Sequence, residues 1–63
     1  MKDIKVPTAA DVKKARQHAG LSQKKAAEVI GYTGRSWQLW EAGKHAMHPA
    51  LFLYFKQKVV AKS

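Results

Sequence analysis

Residues 21–43 read LSQKKAAEVIGYTGRSWQLWEAG, two short stretches of helical pattern joined by a tight turn at Gly31. Apolar residues recur there at three- and four-residue spacing, with polar or basic residues between them. Gly20 precedes the segment and Gly43 closes it. Glycine stops and capping residues thus divide the chain into short helices, and short helices persist only by packing on one another.

The 63 residues make one domain. Below roughly 70–80 residues a single core supplies only about 3–5 kcal/mol, so small domains usually need a staple. The sequence has no cysteine, which excludes disulfides and thiolate metal sites. Its three histidines lack the carboxylate or thiol company of a metal set, and no metal or cofactor is expected. Close helix packing and oligomerisation remain as staples. A hydrophobic content of 46% excludes a disordered tail.

Twelve Lys and Arg against four Asp and Glu give a formal charge of +8. Such an excess repels itself and draws polyanions, although a merely basic, soluble surface has the same count. Met1–Pro7 lacks the apolar stretch of a secretory signal, and the longest apolar run, Ala50–Phe55, is too short for a bilayer. The sequence reads as a cytosolic protein, with no membrane partner.

Residues 1–8 form a basic, extended arm, since Pro7 disfavours helical geometry at Val6. Lys2 and Lys5 would make it a DNA-grasping arm or else a frayed terminus. Residues 9–63 form the single domain. Thr8 with Asp11 reads as a capping box for a helix over about 9–19, inner face Val12, Ala15 and Ala19. Ser22 caps a second helix over about 23–30, inner face Ala26, Ala27 and Ile30. Thr33 caps a third over about 34–42, on which Trp37 and Trp40 share a face. Lys44–His48 is a loop, and Pro49 opens a fourth helix over about 49–60. The class is all-α.

The second and third helices, within 23–42, meet the four needs of a helix-turn-helix. Ala27 is small enough to let the helices cross closely. Gly31 tolerates left-handed geometry at the turn. Trp37 and Trp40 lock the crossing angle. Arg35, Ser36, Gln38 and Leu39 are left to reach bases from the start of the third helix.

These residues resemble the lambda repressor and Cro-like (XRE-type) helix-turn-helix regulators of phages and bacteria. Ala15-Arg16 through Gly20-Leu21-Ser22-Gln23 is similar to the family's passage from helix 1 to helix 2. Ala27, Gly31 and Thr33 stand at its small residue, turn glycine and recognition-helix cap. Trp40-Glu41-Ala42-Gly43-Lys44 is similar to its W-E-x-G-K ending, and the likeness spans about residues 9–55. The resemblance implies base contacts from Arg35 and Leu39, with Gly34, Ser36 and Gln38 beside them. An arginine there favours guanine, and a leucine favours a thymine methyl. It implies a phosphate contact from Gln23 and a backbone-side position for Lys44. Lys24, Tyr32, Thr33 and His45 are further phosphate candidates. Arg16 and Glu41 match a family ion pair that ties helix 1 to the end of helix 3.

Three departures stand out. Gly34 replaces a residue that often contacts a base, so either the backbone nears DNA there or specificity rests on the following residues. Trp37 replaces a branched aliphatic and Ala26 replaces a leucine, which reads as a size exchange. The family commonly has five helices and four are legible here, so any dimer contact comes from other residues. Helix 4 is apolar nearly all round. Leu51, Phe55 and Val59 would cover the core, leaving Phe52, Leu53 and Tyr54 for a second copy or simply for a small domain's core.

The expected function is sequence-specific binding of double-stranded DNA by a homodimer on an inverted repeat, with half-sites roughly 34 Å apart. The chain would act as a transcriptional regulator, a repressor by operator occupancy, without a small-molecule ligand. The alternative is a protein-binding helix-turn-helix module, such as an antitoxin that neutralises a partner. No nucleophile beside a base, no paired carboxylates and no phosphate-cradling glycine loop are present, so no enzyme is expected.

Overall fold

The computed structural model describes residues 6–62, and Lys2 and Lys5 of the expected arm lie outside the described residues. Four helices in chain order make up the fold: α1 (Ala9–Ala19), α2 (Gln23–Val29), α3 (Gly34–Glu41) and α4 (Pro49–Lys62). No strand occurs among the described residues, so the domain is all-α as the sequence predicts.

Local chemistry sets the helix starts. The Thr8 hydroxyl accepts from the Asp11 amide at 3.1 Å, and the Asp11 carboxylate accepts from the Thr8 amide at 3.1 Å. The Ser22 hydroxyl accepts from the Lys25 amide at 3.1 Å, and the Thr33 hydroxyl from the Ser36 amide at 3.3 Å. Each removes an orphan donor from a first turn, an effect typically near 1 kcal/mol. At α4 the cap is an imidazole: His48 Nδ1 accepts from the Ala50 amide at 3.0 Å.

The turn between α2 and α3 depends on Gly31, whose φ is 76°. There the Gly31 amide donates to the Glu28 carbonyl at 3.2 Å and the Tyr32 amide to the Ala27 carbonyl at 2.8 Å. This pair of bonds is a Schellman motif, which needs left-handed backbone at the glycine. The end of α3 closes similarly: Lys44 donates its amide to the Leu39 carbonyl at 3.0 Å. Beyond Pro49 no Gly or Pro interrupts the chain, and α4 runs to Lys62, two residues past the expected end.

The core gathers Val12 from α1, Ala26, Ala27 and Ile30 from α2, Trp37 and Trp40 from α3, and Phe55 from α4. Trp37 and Phe55 are wholly buried, their rings 4.9 Å apart. Trp37 also meets Trp40 edge-on at 5.4 Å, and Trp40 meets Tyr32 at 5.3 Å. One aromatic chain therefore runs from the α2–α3 turn to α4. Met47 is buried too, although it lies in the connection before α4. No helical period marks a loop residue as core, but an unbranched thioether suits an irregular gap.

Candidate nucleic-acid interface

The face of α3 opposite its tryptophans is the candidate interface. Arg35 and Gln38 are exposed there, while Ser36 and Leu39 are half-buried. Burial of Trp37 and Trp40 fixes the helix rotation, which leaves Arg35, Gln38 and Leu39 together at three- and four-residue spacing. Ser36 is partly committed elsewhere: Thr33 Oγ1 donates to its hydroxyl oxygen at 3.3 Å. Its remaining polarity is available to a base edge, but its position serves the cap first.

Gly34 lies close to the first turn of α2, though a side chain there would meet only ordinary van der Waals contact. A Cβ added there would stand 3.4 Å from Lys24 Cα and 3.5 Å from Lys24 Cβ. The start of α3 therefore rests on the first turn of α2, backbone against backbone. Lys24, Thr33, Tyr32, Lys44 and His45 are all exposed, spread over the start of α2, the turn and the connection after α3.

The far end of α3 is locked by one carboxylate. Glu41 Oε2 accepts from Arg16 Nε at 2.6 Å and from Trp37 Nε1 at 2.6 Å. Glu41 Oε1 accepts from Arg16 Nη2 at 3.1 Å and from Gln23 Nε2 at 3.1 Å. The side chains of Arg16 and Glu41 are 16% and 7% exposed, so this fork-to-fork bridge is largely shielded from water. Arg16 Nη1 donates onward to the Leu21 carbonyl at 3.0 Å, tying in the link between α1 and α2. Among the described residues every buried side-chain nitrogen or oxygen has a partner.

Burial by itself would raise the Glu41 pKa. The hydrogen bonds from Arg16, Trp37 and Gln23, with the charge of Arg16, outweigh it and hold the carboxyl below its ordinary value. The Glu41 hydrogen bond in turn holds Arg16 above its ordinary value, against a smaller opposing effect of burial. The expected Arg16–Glu41 pair is thus present, but as part of a four-residue network. Trp37 and Gln23 are the members that sequence reasoning missed. The four-residue spacing of Trp37 and Glu41 on one helix was the available signal. Gln23, expected to face a phosphate, turns its amide to Glu41 at 3.1 Å.

The remaining candidates sit on α4, where Phe52 is half-buried and Leu53 and Tyr54 are exposed. Among the described residues, no group of three His, Cys, Asp or Glu could hold a metal ion, and no helix is long and apolar enough to cross a membrane.

No protein-family model matches the chain. It is similar to the Type II methyltransferase M.MspI of Moraxella sp.. The two are 39% identical over 51 residues, which make up 81% of this chain. The chain spans only 12% of the methyltransferase's length.

Proposed function

We propose that this chain is a helix-turn-helix module of the lambda repressor and Cro-like kind that lays α3 in the major groove of double-stranded DNA. The observation that carries the reading is the division of α3. Its inner face is buried and bolted to α1 and α2 through Glu41, while Arg35 and Gln38 project unburied from the outer face. A reading helix needs that combination, because base contacts of about 1–3 kcal/mol are realised only by side chains held in register. The net charge of +8 supplies the attraction to the backbone. Arg35 reads a guanine, Leu39 a neighbouring thymine methyl, and Gln38 the base edge between. Two copies occupy an inverted repeat in the bacterial cytosol and repress by blocking the operator. None of these residues performs catalysis.

The likeness to part of a methyltransferase favours a second reading. In it the same module recognises DNA on behalf of a modifying enzyme, within one longer chain or beside it. Both readings share the α3 contact and differ in what it delivers.

Selection of bound fragments from random duplexes, followed by titration at two salt concentrations, tests the shared contact. The expected result is one preferred site and a steep loss of affinity with salt. Arg35→Ala should relax one position of that site, whereas Lys44→Ala should weaken all sequences alike. Salt-sensitive binding without any preferred sequence would remove the regulator reading.

A further inference from the structure

A trough with a volume of about 870 Å³ lies between α1 and α4, closed at its base by the end of α2. Ala15, Ala19, Leu21, Val29, Phe52 and Val59 make its floor and walls. No residue of α3 lines it, so it is separate from the proposed DNA contact. Its edges carry Lys14 and His18 from α1 and Lys56 from α4. Lys56 Nζ sits 5.1 Å from the centre of the Phe52 ring, which holds that ammonium over the apolar wall. Asp11, the one acid among the described residues that line it, has its carboxylate engaged by the Thr8 amide at 3.1 Å.

We infer that this trough is a docking site for an amphipathic helix of an acidic partner protein. A helix laid between two helices buries its apolar stripe in the way a third helix of a bundle does. Phe52 to Val59 spans about 10 Å along α4, roughly two turns of a bound helix. The small side chains of Ala15 and Ala19 leave room for its backbone on the α1 side. Carboxylates flanking the stripe would meet Lys14 on one edge and Lys56 on the other. A second copy of this chain fits worse. A two-fold contact sets a basic edge against a basic edge, between protomers that each carry +8. The inference stands independently of the DNA reading.

The test is fluorescence anisotropy of a labelled synthetic helix with leucines at three- and four-residue spacing and glutamates beside them. It uses the full chain at physiological salt. The acidic helix should bind at least about tenfold more tightly than the same helix with lysines for glutamates. Lys14→Glu with Lys56→Glu should reverse that order. Lys13→Glu with Lys25→Glu makes the same change in net charge at exposed positions away from the trough, and should leave the order intact. Equal affinity for the two helices, reversal in the control pair, or no binding would each overturn the inference. So would a chain that sediments as a dimer and takes the acidic helix only on dissociating, which would give the trough to a second copy.

Discussion

Helices α3 and α4 are both rich in large apolar side chains, yet they use them in opposite ways. In α3, Trp37 and Trp40 face the core, and the exposed positions hold Arg35 and Gln38. In α4, Phe55 is wholly buried, but Leu53 and Tyr54 are about half exposed and Val60 more so. The difference lies in what sets each helix's rotation. Two buried indoles, a glycine contact at one end and a carboxylate with three partners at the other permit α3 only one orientation. Among the described side chains of α4, Phe55 is the one fully buried anchor, and apolar residues remain around it on most sides. The first arrangement leaves α3 one polar outward face, and the second leaves α4 with exposed apolar surface.

The contrast breaks most easily at Glu41. Glu41→Ala leaves the Arg16 guanidinium, the Trp37 indole N–H and the Gln23 amide without their acceptor. Removing one partner of a shielded ion pair is strongly destabilising, and about 3 kcal/mol is expected here, read as a drop in urea midpoint. A loss below about 1 kcal/mol would mean that α3 is held by its tryptophans alone.

Acid should weaken the same lock. Because the folded pKa of Glu41 is lowered, its ionised form contributes stability in full above the unfolded carboxyl range near ~4.3. That contribution fades as the pH falls through the lower folded value. Urea midpoints measured across this acid range should fall, and Glu41→Gln should flatten the fall. An equally steep fall in Glu41→Gln would assign the acid sensitivity to another carboxylate.

Trp37→Phe is a finer cut, since it keeps an aromatic ring in the core and deletes the indole N–H. About 1–2 kcal/mol is expected, with the Glu41 carboxyl titrating closer to its ordinary value. A carboxyl resonance that does not move on carbon-detected titration would detach Trp37 from the lock. The smallest effect belongs to α4. Leu53→Lys, at an exposed position, should change the stability of the monomer by no more than about 0.5 kcal/mol. A larger loss that grows with protein concentration would show that a second copy covers this face.

The helices and their ends were legible because their causes are local. Thr8 with Asp11, Ser22, Thr33 and Gly31 act within a few residues, and those residues stand together in the sequence. The period of Ala26, Ala27 and Ile30 and the spacing of Trp37 and Trp40 likewise expose which faces turn inward. The site was legible only in part. The sequence orders Arg35, Gln38 and Leu39 along one helix. It does not reveal that Ser36 shares the Thr33 cap or that Gln23 is drawn to Glu41.

By itself the sequence determined an all-α domain, four helices, the Thr8, Ser22 and Thr33 caps and a basic charge balance, while the Arg16–Glu41 pair followed from the family resemblance. Hydrogen bonds within a turn and the helical repeat depend on neighbours a few positions away. Only the tertiary structure decided how α3 rests against α2 at Gly34, why Met47 is core, and how three side chains share the Glu41 carboxylate. These depend on where α1, α2 and the connection to α4 come to rest against α3. Close packing sets such distances to fractions of an ångström between residues far apart in the chain.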